Sequence, residues 1–98
     1  MIYVVATITV RSEHRADFLE NARTVIGASV KEAECHSYDL LSSITEPNCF
    51  VFVERWGSRE ALAQHFETPH LKAWQRVSAE FVEKVKVEII SPDHVETL

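Results

Sequence analysis

The opening stretch, MIYVVATITV, alternates. Ile2, Val4, Ala6, Ile8 and Val10 fall on one side, and Tyr3, Val5, Thr7 and Thr9 on the other, which is the period of a β-strand. Both sides are apolar or β-branched, as suits a strand in the middle of a sheet. The period then lengthens. Phe18, Leu19, Ala22, Val25, Ile26, Val30 and Ala33 make one stripe at the spacing of a helix, with Ser12 expected as its N-cap and Glu13 complementing the helix dipole. Gly27 within this helix, where glycine costs about 1 kcal/mol against alanine, predicts a close approach by another element. CHSYDLLSSI reads as a more polar strand, hence an edge, and TEPN as a turn. In CFVFVERW, Phe50, Phe52, Glu54 and Trp56 oppose Val51, Val53 and Arg55, predicting a second central strand. Ser58 caps a helix over REALAQHF with Leu62, His65 and Phe66 inward. Thr68 then caps a third helix with Pro69 in its first position, carrying Leu71, Trp74, Val77 and Phe81. VKVEII closes the pattern as an edge strand, with Val85, Val87 and Ile89 set against Lys86 and Glu88.

The order β-α-β-β-α-β is that of the ferredoxin-like α+β fold. It predicts an antiparallel four-stranded sheet with strands one and three central and helices on one face. The other face still carries Tyr3, Val5, Val51 and Val53. An apolar face of that kind is rarely left in water, so a homodimer packed sheet to sheet is expected. The 98 residues suffice for one domain and not two, and residues 1–98 are read as a single unit.

Composition narrows the function. With 46% hydrophobic residues a core is assured and disorder excluded. Ten Lys and Arg against 15 Asp and Glu leave no basic stripe for nucleic acid or for an acidic membrane. No apolar segment approaches the roughly 20 residues of a membrane span, and the first strand lacks the basic flank of a signal peptide, so a cytoplasmic location is expected. Cys35 and Cys49 flank one strand, whose ends would lie roughly 30 Å apart, far beyond the reach of a disulfide.

The stretch HFETPHLKAW holds the candidate chemistry. Zinc-binding histidine pairs on a helix sit at i and i+4. His65 and His70 instead are separated by a helix restart at Thr68 and Pro69, and no neighbouring carboxylate or cysteine completes a set, so no metal is expected. His65 on an inward stripe can simply pack. A functional reading needs several polar groups in one place. Glu54 shares a strand face with Phe52 and Trp56, and Tyr38 joins it only if the second and third strands pair even with even positions. A carboxylate, an imidazole and a phenol between aromatic walls would form a small-molecule pocket with acid/base groups.

VVATITV, ECHSYDL and FVFVERWGSREALAQHFETPH together resemble the antibiotic biosynthesis monooxygenase (ABM) superfamily of dimeric ferredoxin-like barrels, over about Ile2 to Ile90. The resemblance implies the same fold and homodimer. It also implies a cofactor-independent monooxygenase, with molecular oxygen and a small phenolic, quinol or polyketide-type aromatic as substrates. In that reading His65 is the base, Glu54 its partner and Tyr38 a donor to the substrate, with Trp56, Phe52, Phe66 and His70 binding it. The haem-degrading branch is disfavoured, because its Asn, Trp and His positions correspond to Ala6, Trp56 and Gln75 and only the Trp matches. Two alternatives stay open: an isomerase of a phosphorylated signalling sugar, for which Arg23 and Lys72 are the nearest cations, and a non-catalytic ligand-binding dimer.

Overall fold

The computed structural model describes all residues, Met1–Leu98. Strand β1 (Ile2–Val10) leads through a short 3-10 turn (Ser12–His14) into helix α1 (Arg15–Ser29). Strands β2 (Cys35–Ser42) and β3 (Cys49–Trp56) form a hairpin. Two short helices, α2 (Arg59–Phe66) and α3 (Pro69–Ser78), precede strand β4 (Val82–Ile90). The sheet order is β2-β3-β1-β4, antiparallel throughout, so β1 and β3 are central as their two-sided apolar character requires. The second helical segment is broken in two, giving β-α-β-β-α-α-β.

The even residues of β1 and β3 are buried under the helices, and they join Phe18, Ala22, Val25, Leu62, Leu71 and Trp74 in one core. Phe18 packs between Phe50 and Trp74, with ring centroids 5.1 and 5.3 Å away. The caps of α2 and α3 form as the sequence predicts: Ser58 Oγ accepts from the Ala61 N–H, and Thr68 Oγ1 from the Leu71 N–H.

Four local expectations are corrected. Ser12 does not cap α1. It opens the 3-10 turn with its hydroxyl on Glu13, and the α-helix starts three residues later. Val30 and Ala33 lie beyond the end of α1 in a turn, where Val30 is exposed. Gly27 has open space around it, with no atom within 4 Å of where a Cβ would stand, so no element approaches there. Phe81 is buried as expected, but from the link after α3 rather than from the helix.

Helical cover stops short of β4. Val85, Val87 and Ile89 pair with Ile8, Ala6 and Val4 and so point to the helix side, yet each stays more than 40% exposed. On the opposite face, Tyr3, Val5, Val51 and Val53 are only partly buried, with exposed Leu41 and Ile90 beside them. No helix is long and apolar enough to cross a membrane.

Candidate active site between the sheet and the helix pair

One irregularity in β2 determines which side chains meet. Cys35 faces Trp56, but Ser37 already faces Arg55. His36 is therefore the extra residue of a β-bulge, and beyond it even positions pair with even. Tyr38 lies directly across from Glu54 and Leu40 from Phe52, all turned toward the helices. Without the bulge, Tyr38 would face the other side of the sheet.

Behind this pair, a cavity of about 370 Å³ runs between the sheet and α3 toward the uncovered part of β4. Its walls are mostly apolar: Val4, Ala6 and Ile8 from β1, Phe52 from β3, Phe66 from α2, Leu71 and Trp74 from α3, and Val85 and Val87 at the mouth. The polar groups are few. Tyr38, Glu54 and His65 stand together at one end, and Gln75 and Ser78 along α3. A larger cleft near Arg11, Glu46 and Lys84 is open and polar, and it contains none of the buried titratable groups.

His65 is 1% exposed. Its Nδ1 lies 2.6 Å from Glu32 Oε2 and its Nε2 lies 3.4 Å from the Tyr38 hydroxyl. A carboxylate can only accept from an imidazole N–H, so Nδ1 carries the proton and Nε2 presents a lone pair toward the cavity. The 3.4 Å contact is long for a hydrogen bond to a hydroxyl, which suits a position where a substrate oxygen can intervene. Glu32 also accepts from His70 Nε2 at 2.7 Å. Its own backbone is tied down on both sides, N–H to Ser29 O and carbonyl to the Cys35 N–H, so the carboxylate is held by the turn after α1.

Glu54 is therefore not the partner of His65. It accepts the Trp56 indole N–H at 2.9 Å. Burial raises its pKa to about 7, against the opposing pull of that N–H and of the Tyr38 hydroxyl. Burial also lowers the pKa of His65, outweighing Glu32. For Tyr38, burial and then the negative charge of Glu54 raise the pKa, so the phenol remains a proton donor. Cys35 is pushed up to about 11, first by burial and then by nearby carboxylates; both cysteines are free.

Of the residues expected in a site, Tyr38, Glu54, His65, Phe52 and Phe66 line one cavity. Trp56 does not. It is fully buried beneath His65, ring centroids 4.5 Å apart, with its indole N–H on Glu54. His70 is outside the wall as well, held on Glu32 and 24% exposed. Glu32 is the functional residue that the sequence reading passed over. A signal for it exists: an acidic residue just past a helix C-terminus works against the dipole, and α1 has no basic residue in its last turn.

The sequence profile of the family described as antibiotic biosynthesis monooxygenase matches residues 1–77, which carry β1 through most of α3 and all the polar groups of the cavity end. The chain belongs to the ABM family. Protein sll1783 of Synechocystis sp., uncharacterized, is 37% identical over 83 residues, covering 85% of this chain. The chain spans about half the length of that relative, 52% of it. YgiN of Escherichia coli, named a probable quinol monooxygenase, is 28% identical over 94% of this chain and 98% of its own. Among solved structures, Rv0793 from Mycobacterium tuberculosis superposes with a TM-score of 0.91 at 27% identity over 98% of each chain. This ABM chain thus carries a cavity whose carboxyl, imidazole and phenol come from three different elements.

Proposed function

We propose that the protein is a cofactor-independent monooxygenase of a small aromatic quinol or phenol. The observation that carries this reading is the single cavity end where a neutral imidazole, a raised-pKa carboxyl and a phenol converge inside apolar walls. Opposite pKa displacements in one site assign an acid and a base. His65 Nε2 takes the substrate hydroxyl proton. The resulting phenolate is electron-rich enough to reduce dioxygen itself. Tyr38 donates to the substrate oxygen, and its field acts in a site screened from water. Glu54, protonated in part near neutral pH, supplies the proton on which the second oxygen atom leaves as water. For a hydroquinone the balance is one quinol plus one O2 to one hydroxyquinone plus one water. The family name and the name of the YgiN relative support the same class of reaction.

The test is oxygen uptake on a panel of hydroquinones and fused-ring phenols. One O2 consumed per substrate, without accumulating peroxide, is the expected result. Proton exchange into a keto-sugar phosphate with no oxygen uptake would establish the isomerase instead. The cavity walls contain no Lys or Arg, so a phosphate would meet no counter-charge there, and Lys72 is engaged with Glu67 at 3.8 Å.

We further propose that the working form is a homodimer packed through the helix-free sheet face. Tyr3, Val5, Val51, Val53, Leu41 and Ile90 form an apolar field there, rimmed by Asp39, Arg55, Lys86 and Glu88. Val53→Lys places an unpaired charge at its centre. Light scattering is expected to show twice the chain mass for the parent protein and a shift toward the single-chain mass for the variant. A parent protein that stays at single-chain mass at micromolar concentration would end this proposal.

A further inference from the structure

We propose that Glu32, His65 and His70 form a binding site for one first-row divalent cation of the zinc(II) type. Three ligand atoms from three elements, Glu32 Oε2, His65 Nδ1 and His70 Nε2, lie within 4.8 Å of one another. The oxygen is 2.6 Å from one nitrogen and 2.7 Å from the other. Two imidazoles and one carboxylate are the donor set of several zinc sites that keep a position open for water. The cation would replace the two N–H protons that now point at one oxygen. At tetrahedral ligand distances of about 2.0–2.2 Å, donor atoms stand roughly 3.3–3.6 Å apart, so the two short oxygen–nitrogen distances would open by less than about 1 Å on binding.

Accessibility fits a cation arriving from solvent. His65 closes the inner side, while Glu32 and His70 are 18% and 24% exposed and form the outer lip. In the bound state the second nitrogen of His65 would carry the ring proton and face the Tyr38 hydroxyl oxygen, 3.4 Å away, the direction in which a ligating imidazole donates. Because the site is reached from the surface and not through the cavity, it can fill with the cavity empty.

A cation on Nδ1 obliges Nε2 to carry the ring proton. The nitrogen facing the cavity then donates where it previously accepted. Resting on the base role proposed for His65, a bound cation therefore switches the site off.

The experiment uses tag-free, chelator-treated protein, titrated with zinc(II) by calorimetry and with cobalt(II) by visible absorption, in the absence of any substrate. One equivalent is expected to bind, with cobalt bands of a mixed nitrogen–oxygen site. His70→Ala, which alters a partly exposed side chain outside the cavity, is expected to weaken binding at least tenfold. Glu32→Gln is expected to weaken it similarly. Absence of stoichiometric binding, or His70→Ala binding like the parent while folded by circular dichroism, overturns the site. Inhibition of oxygen uptake by zinc in the parent but not in His70→Ala is the expected consequence. Binding without inhibition would keep the site and remove the base role of His65.

Discussion

His65→Asn is expected to lower turnover by about 10²–10⁴-fold, the usual contribution of a general base, while keeping most of the fold's stability. The choice of asparagine follows from the geometry. Its amide N–H can take over the bond that His65 Nδ1 makes to Glu32, at 2.6 Å in the parent, but it offers no group that can accept a proton at neutral pH. His65→Ala is the harsher variant. His65 is 1% exposed, so truncation leaves a cavity and strips a partner from Glu32 and Tyr38, at about 1–3 kcal/mol for each polar group left unpaired. Activity and melting temperature should therefore fall together in the alanine variant and separate in the asparagine one. The measurement is kcat from oxygen uptake beside a thermal melt of each protein. Wild-type turnover by His65→Asn would remove the histidine from the chemistry. Glu32→Gln should act more mildly, because the amide still accepts from Nδ1–H but no longer stabilises a charged ring.

Glu54→Gln is expected to raise thermal stability in alkaline buffer, with the gain shrinking toward pH 4.5. The carboxyl's pKa moves from 4.5 to about 7 on folding, so the folded protein binds this proton more tightly than the unfolded chain. The contribution to stability is complete below the unfolded value and is lost as pH rises through the folded one. At 1.36 kcal/mol per unit, the loss approaches about 3 kcal/mol once the group is ionised. Glutamine removes the ionisation and can still accept the Trp56 N–H. For a domain of this size, each kcal/mol moves Tm by about 4–8 °C, so melts at pH 8.5 and pH 4.5 read the difference directly. An equal offset at both values would mean that Glu54 is not held near neutrality. The same substitution should lower oxygenation, since the amide cannot deliver a proton to the departing oxygen. A residue that weakens the fold when charged is what a reactive pocket contains.

The alternation of β1 and β3 made the sheet order legible, because only a central strand has reason to be apolar on both sides. The helix caps at Ser58 and Thr68 were equally legible, since their chemistry is local. Ser12 and Gly27 misled for the complementary reason: each is consistent with several local geometries, and the turn before α1 and the empty space beside Gly27 depend on distant packing. The site divided in the same way. Glu54, Tyr38 and His65 each lay on an inward face that periodicity could locate, but the parity bringing Tyr38 under Glu54 rests on the bulge at His36, which no alternation reveals. Glu32 was hidden more deeply. Its position follows from where α1 stops, and the apolar stripe running on to Val30 and Ala33 extended that helix past its end.

The break between α2 and α3 acts as a ruler. On an unbroken helix, residues five apart stand about 7.5 Å apart along the axis and about 140° apart around it, too divergent for two imidazoles to share one oxygen. Thr68 and Pro69 fold that spacing into a corner, and His65 and His70 meet on Glu32. The distance information is thus stored in a backbone interruption and not in the histidines. A graft of this triad onto another scaffold would have to carry the corner with it. Within this chain, a one-residue deletion at Glu67 should undo the cluster more completely than loss of either ring, because it re-aims α3 while leaving every ligand in the sequence.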